Sequence, residues 1–90
     1  MKIEKQSNDV FKVTVVGNTT TQHEVTITDD VHQDLTNGRF SKEELLDFSF
    51  RFLLDRESNT TILSSFEIMV IDRYFTEYES EVRKWCAKIV

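Results

Sequence analysis

Apolar residues dominate the stretch from residue 41 to 57, SKEELLDFSFRFLLDRE, and predict the central element of the fold. At about 100° per residue, its leucines and phenylalanines cover roughly two-thirds of a helix circumference, whereas a surface helix needs only about a third. Ser41 and Glu44 have the spacing of a capping box, in which each side chain accepts a backbone N–H of the other residue. We therefore predict a central helix over residues 42–57, buried on two sides.

Two runs of alternating apolar and polar residues, 10–16 and 23–28, precede this helix. Period-two alternation of β-branched residues around a short polar loop predicts an antiparallel hairpin with one buried face. Residues 1–9 are polar apart from Ile3, and we interpret them either as disordered or as a short edge strand. The predicted buried face of the hairpin consists of Phe11, Val13, Val15, His23, Val25 and Ile27.

Residues that typically begin and end helices predict three further helices. Asp29-Asp30 opens a short helix that Asn37-Gly38 ends in a left-handed turn. Ser64 and Glu67 repeat the capping-box spacing and favour a helix over residues 65–75, although the run 68–71 also fits a buried strand. A last helix starts in residues 76–79, and its apolar stripe consists of Tyr78, Val82, Trp85 and Ile89. The pattern as a whole predicts one α+β domain over residues 1–90, an antiparallel β-hairpin packed on three to four helices.

The cysteine count, the lengths of the apolar runs and the net charge argue against secreted, membrane-spanning and nucleic-acid-binding proteins. The lone Cys86 cannot form an internal disulfide, and no apolar run reaches the roughly 20 residues of a membrane span. The N-terminal segment lacks the apolar run of a signal peptide, so we expect a cytoplasmic protein without a membrane partner. The net charge of −5 opposes nucleic-acid binding, which normally requires a basic surface.

No catalytic constellation is evident in the sequence, and we predict no catalytic, cofactor-binding or metal site. His23 lies at the rim of the hairpin without a second ligand at metal-binding spacing. Acids near His32 are explained by helix capping, and Cys86 is interpreted as a half-buried structural thiol. The chain holds two glycines, Gly17 and Gly38, too few for a phosphate-binding loop.

Arg56 is the most unusual charged residue because the helical pattern places it near the middle of the central apolar arc. A buried arginine is costly unless it is paired. One interpretation makes it a recognition group for a carboxylate or phosphate. The other, which we favour, is an internal ion pair with Glu67 or Asp72, or a side chain that extends to solvent at the helix end.

The segments FSFRFLLDRE, TILSSFEIMVIDRYF and TEYESEVRKW, with the hairpin that ends HEVTITDD, resemble a family of short, uncharacterised bacterial proteins. The resemblance covers residues 10–84 and implies the same hairpin-and-helices fold. It implies no activity, because none is associated with the family. The sequence departs from the family at Ser58 and Thr76, where relatives carry proline, and both positions concern helix boundaries.

Elimination leaves a non-enzymatic protein–protein interaction or adaptor module as the leading function. The alternatives are a nucleic-acid-binding regulator and a small enzyme or metal-binding protein that uses His23 or His32. Residues 66–75 are apolar nearly all round, and exposed apolar patches usually mark interaction sites. We therefore expect a protein partner or a homodimer. The expected interaction surface consists of Met69, Tyr74, Phe75 and Trp85.

Overall fold

A four-stranded sheet and four helices make up residues 1–88, the part of the chain that the computed structural model describes. Strands β1, β2 and β3 form an antiparallel meander, and β4 pairs in parallel with β3 at the other edge. The predicted α+β class is confirmed. The elements in chain order are β1 (Lys2–Lys5), β2 (Val10–Val15), β3 (Thr21–Thr26), α1 (Asp29–Thr36), α2 (Lys42–Leu54), a 3-10 turn (Asn59–Thr61), β4 (Ser65–Glu67), α3 (Val70–Tyr74) and α4 (Tyr78–Lys88).

The hairpin has one buried and one open face, as its alternation predicts. Phe11 and Val25 are paired across β2 and β3 and are fully buried beneath the helices. On the open face, Lys12 lies opposite Glu24 in the β2–β3 register and opposite Glu4 in the β1–β2 register. Strand β1 (Lys2–Lys5) is the edge strand that was one of the two interpretations of residues 1–9.

The capping box at the start of α2 is present, with Ser41 Oγ accepting the Glu44 N–H at 3.0 Å and Glu44 Oε1 accepting the Ser41 N–H at 2.9 Å. The helix ends at Leu54, three residues earlier than predicted. The N–H groups of residues 56 and 57 both donate to the carbonyl of Leu53, which tightens the chain into a turn. Arg56 consequently lies beyond the helix and not within its apolar arc.

The helix predicted over residues 65–75 is wrong for its first part. Residues 65–67 form β4, and the helix begins only at Val70. The Glu24 N–H donates to the Ser64 carbonyl oxygen at 2.8 Å, and the Ile68 N–H donates to the Thr26 carbonyl oxygen at 3.0 Å. These sheet bonds use the backbone groups that a helix would need, and the Glu67 carboxylate accepts the Met69 N–H instead of capping backwards.

The boundaries of α1 and α4 also depend on contacts that differ from the predicted caps. The side chain of Thr28, not of the two aspartates after it, accepts the N–H of the first turn of α1. Asn37 and Gly38 have φ values of 54° and 73°, which confirms the left-handed stop. The Asp72 carboxylate accepts the N–H of residue 79 at the start of α4. Ile89, the last member of the predicted stripe, lies outside the described residues.

Candidate functional site

His23 is a core residue and does not lie at the rim of the hairpin, since its side chain is only 2% exposed. Its Nδ1 lies 2.7 Å from the carbonyl oxygen of Leu63, which can only accept, so Nδ1 carries the proton. In the neutral ring, Nε2 then accepts the hydroxyl proton of Thr21 at 2.8 Å. Both ring nitrogens are engaged within the protein, which favours a structural role over a metal ligand or base.

Asn59 extends this hydrogen-bonded chain, and no pattern in the sequence pointed to it. Its Nδ2 donates to Thr19 carbonyl oxygen at 2.7 Å and to Thr21 Oγ1 at 3.0 Å, and its side chain is buried. A Cβ at Gly17 would lie 3.1 Å from Asn59 Oδ1, so the loop fits closely around the amide. Asn59 therefore fixes the segment after α2 to the β2–β3 loop.

Lys42 joins three parts of the chain at the start of α2. Its Nζ lies 2.8 Å from Asp29 and 3.2 Å from Asp9, and it donates to the Asn8 carbonyl oxygen at 2.9 Å. Burial acts to lower the pKa of Lys42, but the hydrogen bonds and charges of the two aspartates outweigh it and raise that pKa. The hydrogen bond and charge of Lys42 lower the pKa of Asp29. Asp29 and Asp9 therefore both form internal ion pairs with Lys42.

The remaining candidates for chemistry are also held by structural contacts. His32 Nε2 donates to the Phe40 carbonyl oxygen at 2.5 Å and so joins α1 to the start of α2. The Cys86 thiol is buried and lies 3.8 Å from the Leu35 carbonyl oxygen, and burial raises the pKa of Cys86. Within residues 1–88, no three His, Cys, Asp or Glu side chains converge as a metal site.

Tyr78 is a fully buried phenol whose hydroxyl contacts Ser49. Since Ser49 Oγ donates to the Leu45 carbonyl oxygen at 2.7 Å, the Tyr78 hydroxyl donates to Ser49 Oγ at 2.5 Å. Burial raises the pKa of Tyr78 above its ordinary value of 10.0. The unfolded chain releases this proton near pH 10, whereas the folded protein retains it. Stability is therefore lost as pH rises above about 10.

The variant Tyr78→Phe is expected to remove this pH dependence. Above pH 10 the free energy of unfolding of the wild type should fall more steeply than that of Tyr78→Phe. The expected difference in slope is about 1.4 kcal/mol per pH unit, the value for one linked proton. Lys42, whose pKa is also raised, contributes equally to both proteins and cancels in the difference. Urea unfolding between about pH 8 and pH 11 measures the two curves. Parallel curves would mean that Tyr78 ionises without unfolding the core.

Arg56 is neutralised within the protein. Its guanidinium lies 3.6 Å from the centroid of the Phe52 ring and donates to the Phe52 carbonyl oxygen at 3.0 Å. The nearest acids are Glu77 at 3.6 Å and Asp55 at 3.9 Å, and not the two acids predicted from the sequence. With 28% of its side chain exposed, Arg56 combines an ion pair with a cation–π contact. Neither interaction requires a bound anion.

The four residues of the predicted interaction surface do not form one patch. Trp85 lies between the rings of Phe40 and Phe48, with centroid distances of 4.1 and 4.6 Å. Met69 is partly buried against the core. Tyr74, by contrast, is 68% exposed and lines a groove together with Phe75.

This groove, which we call the β4 groove, has a volume of about 160 Å³ and lies between β4, α3 and the last turn of α2. Leu63, on its rim, is 45% exposed, and among residues 1–88 the only charged lining residue is Glu57. Neither residue was predicted, because the surface is assembled from three segments that are distant in the sequence. The apolar lining includes Leu53, Ile62, Leu63, Phe66, Tyr74 and Phe75.

The groove adjoins an unpaired strand edge. Along a strand, the backbone groups of every second residue form hydrogen bonds with the same neighbouring strand, and those of the residues between them face the other side. Ser64 and Ile68 both bond to β3, so the backbone N–H and C=O groups of Ser65 and Glu67 face away from it. No strand within residues 1–88 pairs with these groups, which we call the β4 edge. An apolar groove beside free backbone donors and acceptors is suited to binding an extended peptide.

The fold and this surface define a small α+β domain with one helix-covered sheet face and an open edge. Comparison of the chain with protein-family models, curated proteins and solved structures finds no match. The resemblance to short bacterial proteins therefore remains a prediction. No helix within residues 1–88 is both long and apolar enough to span a membrane.

Proposed function

We propose that the protein is a non-enzymatic interaction module that binds an extended segment of a partner protein at the β4 edge. The observation that carries this proposal is the contact between the unpaired edge and the β4 groove. Strand addition gains affinity from main-chain hydrogen bonds and specificity from pockets that receive alternate side chains. Ser65 and Glu67 would supply the bonds, and the groove would receive one apolar side chain.

The opposite edge of the sheet supports the choice of β4. Strand β1 carries Lys2, Glu4 and Lys5, and charged side chains of this kind protect an edge strand from pairing. Strand β4, with the sequence SFE, has no lysine, and its central Phe66 is only partly buried. Of the two edges, β4 is therefore the better site for an added strand.

The size of the surface favours a peptide over a second copy of the chain. A stable protein–protein interface buries about 800 Å² on each partner. The β4 edge is only three residues long, and Trp85 does not extend the apolar surface around Tyr74 because it stacks elsewhere. Charge supports the same occupant, since the net charge is −5 and the only charged lining residue is acidic. A short apolar segment that carries basic residues complements both features.

Selection of a displayed random-peptide library on the immobilised wild-type protein tests this function. We expect peptides with an apolar residue in an extended context, and we expect Leu63→Glu and Tyr74→Glu to weaken their binding at least about tenfold. The matched control is Val16→Glu, which changes a 74% exposed valine in the β2–β3 loop. Circular dichroism verifies that each variant is folded.

Two results would contradict the proposal. One is a selection that enriches no peptide. The other is a set of peptides whose affinity is the same for Leu63→Glu, Tyr74→Glu and Val16→Glu, because the binding surface would then lie elsewhere.

A further inference from the structure

We infer that the segment bound at the β4 edge alternates basic and apolar residues, with one apolar side chain between two lysines or arginines. This inference rests on the proposed function, because it assigns a sequence preference to the same site. It follows from the pleat of the sheet and from the carboxylates around β4.

The pleat determines where each side chain of an added strand would lie. Phe66 pairs with Val25 and lies on the helix-covered face of the sheet, beside the β4 groove. The residue opposite Phe66 would therefore project into the groove. Its two neighbours would project from the open face, since successive side chains of a strand alternate between faces. These neighbours would lie opposite Ser65 and Glu67.

The open face at this edge is acidic. Glu67 would lie directly beside one neighbour of the central residue, within the range of a cross-strand pair. Ser65, the partner of the other neighbour, is small and exposed, and the next residue across the sheet from it is Glu24. No ion pair within residues 1–88 involves Glu24 or Glu67, and the basic residue next to Glu24 is Lys12, on the side away from β4.

The groove adds a third carboxylate at the rim. Glu57 lines it and also takes part in no ion pair within the described chain, and no lysine or arginine belongs to the lining. Opposite charges directly across two strands stabilise the pair, whereas like charges destabilise it. Lysine or arginine on each side of the apolar residue is therefore the complement of this edge.

Titration of the wild-type protein with three short blocked peptides, followed by amide chemical shifts, tests the inference. The first peptide carries Lys-Leu-Lys and the second carries Gln-Leu-Gln. The third has the composition of the first but places both lysines on one side of the leucine. We expect the Kd of the second and third peptides to be about three- to tenfold higher than that of the first. The third peptide controls for simple attraction to an acidic protein.

Variants of the protein test whether the carboxylate of Glu67 determines the preference for the Lys-Leu-Lys peptide. Glu67→Gln should remove most of the preference for the first peptide over the second. The matched control is Glu43→Gln, which changes an exposed acid at the other end of α2, about 15 Å along the helix from the groove. It makes the same change in net charge and should retain the preference.

The possible results distinguish the charge preference from peptide binding itself. If all three peptides shift the resonances of β4 and the groove with equal Kd, peptide binding is supported and the charge preference is overturned. A preference that Glu67→Gln and Glu43→Gln reduce equally also overturns it. If no peptide shifts these resonances, both the preference and the binding function are overturned.

Discussion

Replacement of Phe52 by alanine is expected to lower the free energy of unfolding by about 3–5 kcal/mol, the cost of a large cavity in a core. Phe52 is 6% exposed, and its ring packs edge-on against Phe75 at 5.9 Å and Tyr78 at 5.4 Å. The guanidinium of Arg56 covers the same ring and would lose its cation–π contact. The change therefore affects α2, α4 and the residue that follows α3 together.

The control for Phe52→Ala is Asp47→Ala, at a partly exposed position of the same helix. Asp47 pairs with Arg51 at 2.9 Å, but the two side chains are 46% and 74% exposed, so the expected loss is under about 0.5 kcal/mol. Urea unfolding of both variants measures the difference. Equal losses would show that the wrong face of α2 has been assigned to the core.

Asn59→Ala is expected to destabilise the protein by about 2–3 kcal/mol through loss of one buried and two partly buried hydrogen bonds. The amide nitrogen of Asn59 donates hydrogen bonds to the Thr19 carbonyl oxygen and to Thr21 Oγ1. It also lies 3.5 Å from the buried carbonyl oxygen of Val15. Removal leaves the buried carbonyl oxygen of Val15 and the partly buried acceptors of Thr19 and Thr21 without this donor. Because Thr21 also donates to His23, the loss extends to the contact between β3 and the loop before β4.

Asn18→Ala is the matched control, since Asn18 is an exposed asparagine in the β2–β3 loop. It should change the free energy of unfolding by less than about 0.5 kcal/mol. Urea unfolding at neutral pH again gives the values. Similar effects of Asn59→Ala and Asn18→Ala would mean that water replaces the Asn59 amide at little cost.

Local patterns in the sequence predicted the elements that depend on neighbouring residues. The alternation of β2 and β3, the Ser41–Glu44 box and the Asn37-Gly38 stop are all determined within a few positions, and the structure confirms each. The prediction was wrong where distant contacts decide. Residues 65–67 have helical cap chemistry, yet pairing with β3, some forty positions earlier, makes them a strand.

The candidate site was only partly predictable for the same reason. Tyr74 and Phe75 were identified because the segment 66–75 is apolar nearly all round. Trp85 does not line the groove with them, and sequence spacing could not show that it packs between Phe40 and Phe48. The β4 edge itself could not be predicted at all without the strand, because a helix has no free edge.

Amide hydrogen exchange at Ser65 and Glu67 tests the central claim most directly, using the Lys-Leu-Lys peptide or a selected peptide as the ligand. In the free protein the N–H groups of both residues face away from β3, so they should exchange rapidly while the bonded Ile68 N–H is protected. Binding at the β4 edge should slow Ser65 and Glu67 together, because both N–H groups would donate to the added strand. Unchanged rapid exchange at both residues in the saturated complex would contradict strand addition.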